Sequence, residues 1–345
     1  MKRAVLVAAG EFHVQECGKP QPLPGQVLLR VRAVGVCGSD LHLFKEGEIG
    51  DITIAQAGGP FVPGHECMGV VEAAGAGVAG ELIGRRVFIE PAINCGQCRW
   101  CLAGRPNVCP HHTFLGLPPQ AGCLVQYLAH PARLCEPLPD GMDDDSAVLL
   151  EPLAIAVHSL DRVGATGGAS AVVLGAGPIG LVHVMLLGRG GVWPLIVTDV
   201  LDYRLEAARR LGATHTLNPL RDDVVAACMD LTRHGADFVF ECAGQGQTFQ
   251  QMVDLAAPAG RVGVVGIPAD NVLAFRHSVA RRKGLDVLMI RRANLTFHRA
   301  LARAVAEKLP LAQLATHHSP LDDVQQAFEL AANYRDGVVK AIVNP

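Results

Sequence analysis

Over roughly the first 150 residues, apolar and polar positions alternate in short runs. "QVLLRVRAVGV", "GVVEAAGAGV", "GRRVFIE" and "CLVQYLAHP" are rich in β-branched residues and are separated by Gly/Pro turns. Alternation of period two between turn residues predicts strands. Residues 1–154 therefore read as an all-β region with long loops. The opening "MKRAVLVAAGEFHVQE" reads as a strand and hairpin, because acidic and polar residues follow its short apolar run at once, unlike a secretory signal. Over 155–292 the texture changes to strand followed by helix. "SAVVLGAGPIGLVHVMLLGRGG", "PLIVTDVLDYRLEAARRLGA", "ADFVFECAG", "GRVGVVGIP" and "LDVLMIR" place apolar runs of strand length between helical patterns. Strands buried on both faces and joined by helices predict a parallel doubly wound sheet. Over 293–345 come two helical patterns, "ANLTFHRALARAVAEK" and "LDDVQQAFELAANYRD", and a last strand, "VVKAIVN".

Composition narrows this picture. A chain of 345 residues fits two domains. The net charge of −3 leaves no cationic surplus to drive binding to nucleic acid or to an anionic membrane. The short runs Arg281-Arg282-Lys283 and Arg291-Arg292 read as solvated or ion-paired charge. No apolar stretch reaches the ~18–20 residues that span a bilayer, so the expected compartment is the cytoplasm. Thiols stay reduced there, and clustered cysteines favour a metal over a disulfide.

Gly175-Ala176-Gly177-Pro178-Ile179-Gly180 is a G-x-G-x-x-G between a predicted strand and a helical run, the context in which that pattern binds a dinucleotide. Gly175 allows the tight turn. Gly177 lets a pyrophosphate approach the backbone at a helix N-terminus, and Gly180 lets helix and strand pack closely. Asp199 ends the next strand. A carboxylate there accepts hydrogen bonds from the ribose hydroxyls and repels a 2′-phosphate, which favours NAD over NADP. Arg204, one helical turn on, softens that preference.

Cys95, Cys98, Cys101 and Cys109 fall within "CGQCRWCLAGRPNVC". Four thiolates complete a tetrahedral Zn²⁺ shell and leave no open position, so the site reads as structural. An iron–sulfur cluster is the alternative. His111 and His112 follow at once and read as loop residues. A second, scattered set comprises Cys37 in "GVCGSDLH", His65 and Glu66 in "VPGHECMG", and Glu151 in "LLEPLAIAVH". One thiolate, one imidazole and one carboxylate would hold a Zn²⁺ with a position left for catalysis. Cys67, Cys123, Cys135, Cys228 and Cys242 read as core thiols, and His158 and His183 as core histidines.

Together these residues resemble the zinc-dependent medium-chain dehydrogenase/reductase superfamily, and within it the polyol branch typified by sorbitol (L-iditol) 2-dehydrogenase. "GVCGSDLHLF", "PFVPGHECMGVV", "GRRVFIEP", "FLGLPPQAG", "LLEPLAIAVHS", "VVLGAGPIGL" and "IVTD" carry the resemblance along essentially the whole chain. It implies a GroES-like β-domain, residues 1–154 completed by 293–345, and a Rossmann NAD-binding domain, 155–292, with the active site in the cleft between them. Cys37, His65 and Glu66 match the ligands of a catalytic zinc, Glu66 also counting among the catalytic residues. Glu151 matches a carboxylate that binds that zinc directly or through water. Ser39 and His42 match a proton relay. Phe114 matches a wall of the substrate pocket, and Arg291 an arginine near substrate and cofactor. Val264 to Pro268, with Val265 and Gly266 at their centre, match the segment against the nicotinamide. The four-cysteine lobe matches a structural zinc site, giving one catalytic and one structural zinc per subunit. Arg292 departs from the aromatic residue that often follows the arginine in this branch.

The implied reaction is hydride transfer between NAD and the secondary hydroxyl of a polyol, a hexitol or pentitol becoming a ketose. Cys37, His65 and Glu66 carry two formal negative charges and would nearly neutralise the metal, moderating its acidity. An amino-alcohol dehydrogenase of the threonine type or a cyclitol dehydrogenase is the alternative within the scaffold. A non-catalytic protein on the same scaffold is the alternative outside it. The implied partners are a small-molecule substrate and further copies of the chain, as a tetramer or dimer.

Overall fold

A computed structural model describes residues 1–345 apart from Pro60 and Asp270. The chain divides into two compact units. One comprises Met1–Glu151, Phe297–Val305 and Pro310–Pro345, and the other Pro152–Thr296 and Ala306–Leu309. The expected boundaries at 154 and 293 thus fall a few residues from the observed ones, and Ala306–Leu309 belongs to the second unit. The helix Leu150–Val163 runs through the first boundary, so Glu151 in its first turn belongs to the first unit.

The first unit is built on a seven-stranded sheet. Cys135–Pro137, Arg86–Ile89, Glu66–Ala74 and Gln26–Gly35 lie side by side, followed by Lys340–Asn344 and Ala315–Pro320. Tyr127–Pro131 also pairs with Gln26–Gly35, so this long strand joins three neighbours. Lys2–Ala8 and Glu11–Glu16 form the expected antiparallel hairpin. The C-terminal segment enters this core directly. Phe328, on the helix Val324–Ala332, sits 4.6 Å from Phe12 and 5.5 Å from Phe44, measured between ring centroids. All three rings are buried, and aromatic contacts of this kind stabilise beyond the area they cover.

The region is not all β. A nine-residue helix, Gly38–Glu46, interrupts it. Asp40 in its first turn accepts from the Cys37 N–H at 3.1 Å, and Gly47 ends it in a left-handed conformation, with its N–H on the Leu43 carbonyl. Capping at both ends explains a helix whose nine residues lack a strong apolar stripe.

The second unit is a six-stranded parallel sheet in the order His215–Leu217, Leu195–Thr198, Ala171–Leu174, Ala236–Glu241, Ala256–Val264, Asp286–Met289. Every residue of Ala171–Leu174 and Leu195–Thr198 is buried, as strands covered by helices on both faces must be. The strand order reverses beside Ala171–Leu174, and doubly wound sheets bind ligands outside the carboxyl ends of the strands at such a switch point. Among the described residues no helix is long and apolar enough to cross a membrane.

Candidate active site

The first unit brings Cys37, His65 and Glu66 together. One ligand atom from each lies within 4.8 Å of the others. Cys37 precedes the helix Gly38–Glu46, and Glu66 begins the strand Glu66–Ala74, paired in register with Gly35. Asp40 ties these pieces. Its Oδ2 accepts from Cys37 N and its Oδ1 from Gly64 N, each at 3.1 Å, while His65 Nδ1 lies 3.4 Å from Oδ1. The last approach lacks hydrogen-bond geometry, so Nδ1 keeps a buried lone position. Burial opposes protonation of His65, yet Asp40 and Cys37 outweigh it and hold the imidazole well above its ordinary range. A pocket this electronegative attracts a cation.

Glu66 has a partner that the sequence does not announce. Lys340, at the start of the strand Lys340–Asn344, donates to both Glu66 oxygens, at 2.7 and 2.6 Å, and to the Val36 carbonyl at 3.0 Å. Both side chains are about fully buried, at 2% and 1% exposure. Burial pushes the lysine pKa down, and Glu66, Cys37 and Glu151 reverse this, so the ammonium stays charged. This corrects the charge balance expected from the ligands alone. Lys340 offsets the charge of Glu66, so a metal here would keep more of its acidity than three ligands carrying two negative charges would leave it.

Glu151 lies near but outside the close set. It is 4% exposed, its Oε2 has no hydrogen-bond partner, and burial raises its carboxyl to about 7, with His65 opposing and Glu66 adding to the rise. An orphaned buried oxygen beside three metal-type donors suits a water or hydroxyl held between it and an ion. Phe114 packs on His65, with ring centroids 5.2 Å apart, and so walls the same pocket. Ser39 and His42 are half-buried on the helix that follows Cys37. Donor chemistry, spacing and the unsatisfied atoms all fit one Zn²⁺ at Cys37, His65 and Glu66.

The four-cysteine lobe is equally defined. The Sγ atoms of Cys98 and Cys101 are 3.5 Å apart, Cys98 and Cys109 3.7 Å, Cys109 and Cys95 3.5 Å, and Cys95 and Cys101 4.0 Å. A tetrahedron with metal–sulfur bonds of ~2.3 Å has edges of about 3.8 Å. These separations suit four thiolates on one ion, whereas an iron–sulfur cluster would spread them over two or four irons. Backbone N–H groups of Gln97 and Cys98 hold the Cys95 thiol down to about 6. The remaining predicted core thiols, Cys67, Cys123, Cys135, Cys228 and Cys242, are buried, as are His158 and His183.

In the second unit the loop from Gly175 to Gly180 joins the strand Ala171–Leu174 to the helix Pro178–Arg189. Gly175 has φ +94°, and Gly177 precedes the helix. Asp199 Oδ2 accepts from Ala176 N at 2.8 Å and Oδ1 from Leu201 N at 2.9 Å, and Arg204 Nη1 lies 3.9 Å from Oδ2. Asp199 thus fixes the glycine loop. Val265 N and Gly266 N donate to the Glu241 carbonyl at 2.8 and 2.9 Å. Arg291 is exposed, just beyond the edge strand Asp286–Met289. Sequence reasoning missed Asp40 and Lys340. Asp40 lies in the first turn of a short capped helix that the apolar pattern of the sequence does not show. Lys340 sits 274 positions from Glu66 with no local motif to flag it.

With this geometry in view, the chain belongs to the zinc-dependent medium-chain dehydrogenases, and it is an oxidoreductase. Residues 23–140 match the alcohol dehydrogenase GroES-like domain, and 178–307 match the zinc-binding dehydrogenase family. Within the superfamily it falls in the polyol branch. It is 32% identical to the sorbitol dehydrogenase of Bacillus subtilis (strain 168), over 100% of this chain and 97% of that protein. Among solved structures, an alcohol dehydrogenase from E. coli CFT073 complexed with NADH superposes with a TM-score of 0.91 at 27% identity, covering 100% of this chain and 99% of that one. A zinc-binding dehydrogenase from Sinorhizobium meliloti 1021 bound to NADP gives 0.91 at 29% identity, with the same coverage.

Proposed function

We propose that the protein oxidises a secondary hydroxyl of a polyol to a ketone, with NAD as hydride acceptor and zinc at Cys37, His65 and Glu66. The observation that carries this reading is the three-donor set within 4.8 Å with a buried, unpartnered Glu151 oxygen beside it. Three donors leave a coordination position open, which a structural site does not. Zinc supplies the acidity that lets a hydroxyl lose its proton near neutral pH, and the nicotinamide supplies the hydride acceptor.

The protein's own residues do the rest. Glu151 orients the hydroxyl through its free oxygen. Ser39 and His42 carry the proton outward. Phe114 excludes water on one side of the reacting carbon, and Arg291 holds the far end of the substrate or the cofactor. Asp40 keeps Cys37 and His65 in position. Gly175, Gly177, Pro178, Ile179 and Gly180 form the pyrophosphate loop, Val265 and Gly266 line the nicotinamide, and Asp199 selects NAD. Cys95, Cys98, Cys101 and Cys109 hold a second, structural zinc. A homo-oligomer in the cytoplasm suits the reading, since a reducing compartment keeps metal-binding thiols available.

The test is NAD⁺ reduction with a panel of hexitols, pentitols, cyclitols, threonine and 2,3-butanediol, run beside the Cys37→Ser variant. A polyol is expected to give the highest kcat/KM. Cys37→Ser should lose turnover while bound zinc falls from about two equivalents per chain to about one. Wild-type turnover in a variant without that zinc overturns the proposal, and threonine as the best substrate overturns its substrate class.

A further inference from the structure

Glu241 ends the fourth strand of the parallel sheet and has no role in the reading above. It is fully buried, at 0% exposure, and lies in register with Leu174 on one side and Val264 on the other. The loop after Leu174 is the glycine loop, and the loop after Val264 carries Val265 and Gly266. Glu241 bonds to two of the loops that meet at the switch point. Its Oε1 accepts from Ala243 N at 2.9 Å, Gly244 N at 2.8 Å and Thr248 Oγ1 at 2.7 Å. Its carbonyl accepts from Val265 N and Gly266 N. The third loop rests on the first: a Cβ built on Gly175 would lie 3.0 Å from that of Ala243. A Cβ on Gly266 would lie 2.3 Å from Gly244 N and 2.4 Å from Glu241 Oε2. Oε2 itself is buried without a partner.

We propose that Glu241 is a positioning residue for the dinucleotide: Oε1 holds the Cys242–Thr248 loop by hydrogen bonds and not through its charge, so that this loop packs on Gly266, whose N–H the Glu241 carbonyl holds. Without the Oε1 acceptor, the buried N–H of Gly244 and the half-buried N–H of Ala243 lose their partner. The loop then relaxes toward other donors and acceptors, and the segment that meets the nicotinamide moves with it. Burial that raises the Glu241 carboxyl agrees with an acceptor that need not be ionised to act.

The inference rests on the dinucleotide reading of this sheet, and the experiment separates the two. NADH and NADPH binding to the full-length enzyme is followed by nicotinamide fluorescence, with bound zinc and KM for NAD⁺ and for the alcohol measured alongside. Glu241→Ala should weaken NADH binding and raise KM for NAD⁺ about tenfold or more, with zinc content kept and KM for the alcohol little changed. Glu241→Gln keeps an acceptor at Oε1 and should stay within about threefold of wild type. If Glu241→Ala does not fold, Thr248→Val removes one donor and leaves the carboxyl in place, and about a threefold loss of NADH affinity is expected. A folded Glu241→Ala or a Thr248→Val variant that binds NADH as wild type does overturns the inference alone. So does a Glu241→Gln variant as weak as Glu241→Ala, because charge would then be at work. A wild-type enzyme that binds neither nucleotide overturns the functional reading and this inference with it.

Discussion

Lys340 shows what a single buried charge does to the metal pocket. Its ammonium is the only cation that the described hydrogen bonds give to Glu66. Removing one partner of a buried ion pair typically costs about 3–5 kcal/mol, because the other charge is left uncompensated. In Lys340→Met a bound zinc would compensate Glu66 in part. The variant should therefore melt below wild type, and chelator should widen the deficit. Thermal melts of both proteins with and without chelator check this, and an equal deficit in the two conditions would show that Glu66 does not share its charge with the metal. Asp199 makes the matching case in the second unit. In the proposed reading its carboxylate would repel a 2′-phosphate, while Arg204 stands 3.9 Å away. Asp199→Ser should lower the ratio of KM for NADP⁺ to KM for NAD⁺ by about tenfold or more, with some loss of NAD⁺ affinity, because Ala176 N and Leu201 N lose their acceptor. Cys37, His65, Glu66 and Glu151 form no local motif among 11 Cys, 14 His and 33 Asp and Glu, and were picked out through the resemblance. Asp40, Lys340 and Glu241 act by burial and hydrogen bonding, and those depend on which strands become neighbours.

Among the elements, the glycine loop separates residues required by the fold from residues required by the ligand. A Cβ on Gly180 would lie 1.9 Å from the Gly175 carbonyl oxygen, a backbone atom that cannot swing aside. A Cβ on Gly177 would meet only Arg204 Nη1, at 3.8 Å. Gly180→Ala is therefore expected to destabilise the second unit by about 2 kcal/mol or more, through overpacking and a displaced helix. Gly177→Ala should leave stability within about 0.5 kcal/mol and weaken NADH binding, where the added methyl meets the pyrophosphate. Denaturant unfolding paired with NADH titration distinguishes them, and equal stability losses in both variants would count against this division. The parallel sheet itself was legible because its strands are continuous apolar runs. The helix Gly38–Glu46 was not, because its stability comes from its caps and from Leu43 and Phe44 on one face, too short a pattern to stand out from strand alternation.

Each of the two units carries a buried histidine that makes the whole chain sensitive to acid. His130, in the first unit, lies by Nε2 on the Glu90 carbonyl at 3.0 Å, and its Nδ1 is buried without a partner. His183, in the second, lies by Nδ1 on the Ile179 carbonyl at 2.7 Å, and its Nε2 is likewise unpartnered. Burial lowers both imidazoles to about 4. The folded chain therefore resists protonation that the unfolded chain accepts below about 6.5. Stability is fully present above 6.5 and declines as pH falls through 6.5 toward 4, since the unfolded state binds more protons in that window. At pH 5 each histidine should account for a loss of about 2 kcal/mol relative to pH 7. His183→Leu places an apolar side chain in the same apolar surroundings, facing Phe240 at 5.1 Å. It should be less stable than wild type at pH 7 and lose less on acidification, by about the same 2 kcal/mol. His183 lies outside the unit that holds the seven residues of the two metal-donor sets, so zinc loss in acid, which both proteins share, cancels from the comparison. Denaturant unfolding at pH 7 and 5 measures the difference, and equal losses in variant and wild type would show that His183 already carries its proton in the folded chain.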